Sequence, residues 1–347
     1  MYQVWKKGNG NVKNILYITF FLIAVFLLAF IIFYKPKPTY SDKQMDVLGT
    51  IVRVRVSGEK VSSSTLLDIA EKEFQRLHNK FSANIEESVV NQLNEKRELI
   101  MDEESLFLIK SSINISKMTG DAFDPTLRPV LKLWGFDDVE SPKQVPNSEE
   151  LKKTLELVNY RYIEIEGNKV KLTKPGVKID LGGIAKGYSV DMVIHRIKEL
   201  DPKATGFIDA GGDIGIIGPK YGNLPWAIGI RDPFNTTQYT NIDIIYLYDG
   251  AIATSGDYER YFIENDKKYH HLIDPKTGYP ANDAVSTTVI ADDLMNADAF
   301  ATAAFILGIN NPSLDYFTNF GLQVFIIGKD KTTKETQGFD YFREKGR

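Results

Sequence analysis

The chain has 347 residues, with 42 Lys and Arg against 46 Asp and Glu and a formal net charge of −4. Residues 1–38 hold five Lys and no acidic residue, so the remainder carries 37 basic against 46 acidic residues, and a net of −9 argues against nucleic acid as a partner. The absence of Cys rules out disulfides, thiolate metal sites and a Cys nucleophile, and it suits an exported protein that folds without oxidation.

The first element is a run of 19 residues from Ile15 to Phe33 without charge, Pro or Gly. As a helix it is about 28 Å long, near the thickness of a bilayer's hydrocarbon. Buried core helices rarely run so far without a polar face. A cleaved signal peptide would have a shorter apolar region and a small-residue cleavage site, whereas YKPKPTY follows here. The run is therefore read as an uncleaved, single-pass signal anchor. Lys6, Lys7 and Lys13 before it against Lys35 and Lys37 after it favour an inside N-terminus and an outside C-terminus. The expected organisation is a cytoplasmic segment 1–14, a span 15–34, a linker 35–43 kept extended by Pro36 and Pro38, and a domain 44–347 on the extracytoplasmic face.

Period-two alternation in VRVRV predicts a strand over Val47–Val56. Helical spacing of Leu66, Leu67, Ile69, Ala70, Phe74 and Leu77 predicts a helix over Ser64–His78, and another spans Glu103–Met118 before Gly120. Tyr162–Glu166 and Lys169–Thr173 flank Gly167-Asn168 as a hairpin. Val177–Asp180 reads as a short strand entering Gly182-Gly183, and a long helix follows to Leu200. Strands are expected at Phe207–Asp209, Trp226–Ile230, Ile242–Tyr248, Ala251–Thr254, Ser286–Ile290 and Gln323–Ile327, with helices at Asn296–Leu307 and Pro312–Asn319. No regular βαβ rhythm appears, so the class is α+β rather than doubly wound.

Three stretches carry chemistry. Asp180-Leu-Gly-Gly-Ile-Ala-Lys-Gly-Tyr188 runs from strand through a glycine turn into a helix. Such a turn lets backbone approach a phosphate, with Lys186 adding charge in the first turn; an ordinary strand-to-helix turn reads the same way. Asp298 and Thr302 lie four apart, on one face of a helix, and a carboxylate with a hydroxyl suits Mg²⁺; the pair reads equally as an Asp near a helix start followed by a buried polar residue. His270-His271 precede a Pro/Gly turn containing Asp274, and a His there can act as a general base or simply end a strand. Adjacent residues of a strand point to opposite faces, so only one of the two rings faces a given site. Asp121–Thr126, Ala210–Asp213 and Thr254–Arg260 are weaker signals that also read as plain loops.

In this order the stretches resemble the FAD:protein FMN transferase (ApbE) family. The matching elements are Leu48-Gly-Thr50, Phe123-Asp-Pro-Thr126, Asp180–Tyr188, Gly211-Gly-Asp-Ile214, Thr254-Ser-Gly-Asp257, His271–Gly278 and Asp298-Ala-Phe-Ala-Thr302. The resemblance implies two sheet-containing lobes with flanking helices and FAD bound between them. It implies Mg²⁺ on the side chains of Asp298 and Thr302 and the main-chain oxygen of Gly183. It places FAD contacts at Leu48, Asn84, Ala122, Phe123, Asp124, Asp180, Lys186 and Leu272. Family members move FMN from FAD to a Ser or Thr hydroxyl of a partner protein and release AMP. In that reaction His271 is assigned the acceptor's proton and Asp274 the orienting of His271, with the choice between His270 and His271 open.

The chain departs from the family pattern twice. Asn84 stands where many members carry Tyr, and Ala301 where some carry an acidic residue before the metal-binding Thr. The first leaves room for water beside the diphosphate, so an Mg²⁺-dependent FAD pyrophosphatase is the second function expected; a non-catalytic flavin-binding protein is the third. The acceptor implied is an exported or membrane-bound flavoprotein.

Overall fold

A computed structural model of the chain describes residues 4–33, 39–138, 140–235 and 240–344, with side chains of the first helix described for 14–29. The chain divides into two compact units, Met1–Thr39 and Tyr40–Arg347.

In the first unit α1 runs from Val4 to Phe33, and its described apolar side chains, Ile15 to Leu28, are exposed. Among the described residues no helix is long and apolar enough to cross a membrane. Pro36 and Pro38, expected to keep the linker extended, lie outside the described residues.

The second unit opens with a hairpin, β1 (Ser41–Val47) and β2 (Thr50–Ser57), so the last three residues of the expected linker already belong to the sheet. The single strand expected over Val47–Val56 is cut by a two-residue turn, Leu48-Gly49, both at positive φ. A Leu in that region is uncommon, which hides the turn from a propensity argument. There follow α2 (Ser63–Phe81), α3 (Val89–Lys96), β3 (Glu98–Ile100), α4 (Glu103–Met118), α5 (Arg128–Trp134), α6 (Ser148–Leu155) and the β4–β5 hairpin (Ile163–Glu166, Lys169–Leu172). Ser62, Ser88 and Asp102 start α2, α3 and α4 by accepting a backbone N–H three residues on.

Val177–Asp180, expected as a strand, joins no sheet. The buried Asn94 amide takes the place of a ladder, donating to the Ile179 carbonyl at 2.9 Å and accepting from its N–H at 2.6 Å. Then come α7 (Gly182–Leu200), β6 (Thr205–Ala210), β7 (Asp213–Gly218), β8 (Trp226–Arg231), β9 (Asn241–Leu247), β10 (Ala251–Gly256), β11 (Tyr261–Glu264) and β12 (Lys267–His270). The chain continues through β13 (Ala284–Ala291), α8 (Leu294–Leu307), α9 (Ser313–Tyr316), β14 (Gln323–Gly328) and β15 (Thr333–Glu335).

Eight strands form one sheet in the order β1-β2-β6-β7-β10-β13-β14-β15, and every neighbouring pair is antiparallel. Alternate residues of its strands face opposite sides. Val52, Val54, Val56, Ala253 and Val289 pack under α2, α7 and α8, while Ile216, Ile252, Ile290 and Phe325 pack under the β8–β9 hairpin. A third cluster joins Val130, Trp134 and Phe136 to Leu151, Ile273 and the β11–β12 aromatics. The mixed, antiparallel character agrees with an α+β class. The two lobes are corrected: among the described residues one sheet of eight strands dominates a single compact unit, and the other three sheets have two or three strands each.

Candidate functional site

The turns β1–β2 and β6–β7 and the end of β10 lie at one end of the large sheet, because β2 pairs with β6, β6 with β7 and β7 with β10. Leu48 sits in the first turn, Asp213 directly after the second, and Ser255 near the end of β10. The Asp213 carboxylate accepts the Thr254 N–H at 2.8 Å and an ion pair from Lys186. Lys186 lies one turn into α7, so this cluster ties the sheet's end to the N-terminal part of that helix.

Two helices meet there. A Cβ on Gly187 would lie 2.3 Å from the Leu294 carbonyl oxygen, so only glycine allows α7 to approach the start of α8 this closely. Asp191, farther along α7, accepts the N–H groups of Leu294 and Met295, each at 2.8 Å. Asp298 on α8 is buried, accepts the Gly187 N–H at 3.0 Å and lies 3.1 Å from the Lys186 ammonium. In a regular helix the Gly187 N–H would bond the Gly183 carbonyl. Here that N–H serves Asp298, so the Gly183 oxygen shares or loses its helical donor. One turn on from Asp298, the Thr302 hydroxyl is 3.3 Å from the Ser255 hydroxyl.

Among the described residues no three His, Asp or Glu side chains gather to hold a metal. The expected Mg²⁺ set is of another kind: the Asp298 carboxylate, the Thr302 hydroxyl and the Gly183 main-chain oxygen. All are oxygen donors, and the cluster sets two carboxylates, Asp213 and Asp298, against the single ammonium of Lys186. An all-oxygen set with one negative charge in excess fits a hard divalent cation that completes its shell with water and phosphate oxygens.

The approach to α7 is organised by Asp180. Its Oδ1 accepts the Gly182 N–H at 2.7 Å, and its Oδ2 pairs with Arg128 at 2.9 Å. Arg128 also donates to the Ala83 carbonyl at 3.1 Å and the Asn84 oxygen at 2.7 Å. The Asn84 amide group then donates to Asp138 at 2.6 Å and to the Asp137 carbonyl at 3.2 Å. Asn84 is thus a bridge, not a small side chain standing free. The side chains of Ala122, Phe123 and Leu272 are buried in the main core, and the Phe123 ring lies against Gly183. Asp124 holds its own loop, accepting from the Thr126 N–H and hydroxyl and the Tyr160 N–H at 2.6–2.9 Å. Burial raises its pKa.

The two adjacent histidines part company. His270 is buried, donates from Nε2 to the Ala281 carbonyl at 2.9 Å and meets the edge of Phe305. Burial lowers its pKa to about 4. His271 is half-buried and donates from Nδ1 to the Arg260 carbonyl at 3.2 Å. A carbonyl only accepts, so the proton sits on Nδ1 and the lone pair on Nε2. Desolvation, followed by the charge of Arg260, lowers its pKa to about 3. The orienting role expected of Asp274 is corrected. Asp274 folds its own turn, accepting the Lys276 N–H at 2.9 Å, and the Arg260 main chain orients His271 instead.

The structure therefore brings Asn84 and Asp180 into one set of contacts before α7, Lys186 and Asp298 into a second where α7 meets α8, and sets Gly183 and Thr302 on those same two helices. Arg128 belongs to the first set, and Ser255 meets Thr302. Arg128 carries no sequence signal, because its partners Asn84 and Asp180 lie 44 and 52 positions away. Ser255 stands in a stretch that also reads as a plain loop.

Residues 48–326 match the model of the ApbE family. A Treponema pallidum protein named FAD:protein FMN transferase is 32% identical over 325 residues, covering 86% of this chain and 87% of its own length. The crystal structure of the ApbE protein from Thermotoga maritima superposes with a TM-score of 0.84 at 40% identity, over 88% of this chain and all of that one. The flavin transferase ApbE from Vibrio cholerae gives 0.78 at 28% identity, over 88% and 99%.

Proposed function

The chain belongs to the ApbE family, and from that membership we infer that it is an FAD:protein FMN transferase, moving FMN from FAD to a Ser or Thr hydroxyl of a partner protein and releasing AMP. The observation that carries this reading is the meeting of α7 and α8 at Asp298, where a buried carboxylate, a lysine and a helix start converge. Asp298, Thr302 and the Gly183 oxygen would hold Mg²⁺, which when bound supplies positive charge to diphosphate oxygens.

The chain's own residues supply the rest. His271 is neutral at physiological pH and presents Nε2 to take the acceptor's proton. The acceptor oxygen bonds to the flavin-side phosphorus as the bond to the AMP oxygen breaks. Lys186 and the Gly183 N–H at the start of α7, where Leu181 adds no capping side chain and Asp180 holds the Gly182 N–H, favour the charge that develops on the phosphate oxygens. Leu48, Asn84, Ala122, Phe123, Asp124, Asp180 and Leu272 complete the FAD site, the buried ones through their main chain.

The apolar run Ile15–Phe33 is assigned as a membrane anchor with residues 40–347 outside, and the acceptor as an exported or membrane-bound flavoprotein. The length and composition of the run support this.

The test incubates the full-length chain with FAD and Mg²⁺, with and without a Thr-bearing flavoprotein. Covalent FMN on the partner, seen by mass, is the expected result. Free FMN and AMP in equal amounts whether or not partner is present would make the enzyme a pyrophosphatase. Unchanged FAD would leave only binding.

A further inference from the structure

Lys186, Arg128 and Arg260 lie about the approach to α7, and the first two are already matched by carboxylates. Lys186 faces Asp213 and Asp298. Arg128 faces Asp180. Arg260 is different. Its half-buried guanidinium donates to the Phe136 carbonyl at 2.9 Å, and among the described residues no carboxylate pairs with it. A guanidinium carries five N–H donors, so most of its capacity is unspent in a place where burial already disfavours the charge and lowers its pKa.

Its position joins the parts of the site. Through Phe136 it rests on the loop whose next residues, Asp137 and Asp138, are held by Asn84 and hence by Arg128 and Asp180. Through its own carbonyl it holds both the N–H and the Nδ1–H of His271. The charges of Arg260 and Lys186 both act on the His271 ring, which places the proposed base within reach of the two.

We propose that Arg260 is a substrate-binding residue that grips the diphosphate of the dinucleotide and so selects FAD over mononucleotides. The proposal rests on the flavin-transfer reading. A planar fork matches two phosphate oxygens at once, which a lysine ammonium does not. Asp180, Asp138 and Asp137 act on it through space without pairing with it, so an incoming diphosphate meets the guanidinium without displacing a bound carboxylate. Its main chain meanwhile keeps His271 in the tautomer that accepts a proton.

The test measures equilibrium binding of FAD, ADP, FMN and AMP to the full-length chain in EDTA, by flavin fluorescence and by calorimetry for the adenine nucleotides. Arg260→Gln retains a donor for the Phe136 carbonyl and loses the charge. It should weaken FAD and ADP by about tenfold or more, as expected for loss of charge-assisted hydrogen bonds, and change FMN and AMP by less than about threefold on the same grounds. Arg260→Lys should recover part of the FAD and ADP affinity. Unchanged FAD and ADP binding in Arg260→Gln, or an equal loss for all four nucleotides, overturns the proposal. If the wild-type chain binds neither FAD nor ADP, in EDTA or with Mg²⁺ restored, the flavin-transfer reading falls and Arg260 with it.

Discussion

Asp298 is the residue on which the two site helices converge, since it holds the Gly187 N–H and faces Lys186 while standing one turn from Thr302. Asp298→Ala should therefore remove Mg²⁺-dependent AMP release almost entirely. Thr302→Ala should only raise the Mg²⁺ concentration needed, because a neutral hydroxyl binds a hard cation less strongly than a carboxylate. Turnover at wild-type levels in Asp298→Ala would end the metal assignment. His271 makes a different prediction. Its pKa is lowered to about 3, so the ring stays neutral from pH 8 down to pH 5 and its protonation should not break the rate profile near pH 6.5, where an ordinary His titrates. His271→Asn should lower kcat by about 10²–10⁴-fold across that range. A wild-type break near pH 6.5 that disappears in His271→Asn would show that the ring titrates normally. Alternation along a strand already implied that only one of His270 and His271 faces outward, but not which. That depended on Ala281 and Phe305, which bury His270 from distant parts of the chain. The assignment of Asp274 failed for a local reason: a short Asp before Pro and Gly closes its own turn more readily than it reaches a ring.

At the scale of elements, α2 was legible because its apolar spacing persists over 19 residues. The helices α3, α5 and α6 have seven or eight residues each, too few to show a period. The β11–β12 hairpin is held by Trp134, Phe136, Phe262 and Tyr269, an aromatic cluster assembled from separated segments. The crossing of α7 and α8 was equally hidden, since it depends on Asp191 reaching two N–H groups more than a hundred positions away. Burial raises the Asp191 pKa to about 7, and Asp293 and Asp298 add to the rise. The sign follows from proton binding. The folded state holds this proton more tightly than the unfolded chain, so its stabilising contribution is complete below the unfolded pKa near 3.8 and is lost as pH rises through about 7. Asp191→Asn does not titrate, and its amide can satisfy only one of the two N–H groups, a loss of about 1–3 kcal/mol. The gap in urea midpoint between wild type and variant should be widest near pH 5 and narrower at pH 8. The histidines contribute equally to both proteins and cancel. A gap that stays constant over this range would mean that Asp191 keeps an ordinary carboxyl pKa.

For the whole molecule, the question is where the globular unit begins. The linker assigned to 35–43 from composition gives a boundary at Gln44, whereas the compact unit starts at Tyr40. The difference lies in four residues whose partners are remote in sequence, which is why composition did not show it. Tyr40 packs its ring against Trp226 at 5.5 Å, and its hydroxyl accepts from Thr205 at 3.2 Å. Asp42 pairs with both Arg53 and Arg55, at 2.9 and 2.8 Å. Lys43 reaches Glu71 on α2 at 2.7 Å. The Asp42 pairs are about one-third exposed and are worth at most about 1 kcal/mol each, but their loss would also leave Arg53 and Arg55 side by side without a carboxylate. The Tyr40–Trp226 pair adds about 0.5–1.5 kcal/mol, and the edge of the eight-stranded sheet would lose the backbone bonds of Ser41–Lys43 with Val54–Val56. A chain beginning at Tyr40 should therefore unfold at the same temperature as the globular part of the full-length protein and retain FAD-dependent AMP release. A chain beginning at Gln44 should be less stable by about 2–3 kcal/mol and melt several degrees lower. Full-length protein should stay with membranes through a high-salt wash while the chain from Tyr40 stays in solution. Equal melting of the two truncated chains would move the boundary back to Gln44, and release of full-length protein by salt would remove the anchor.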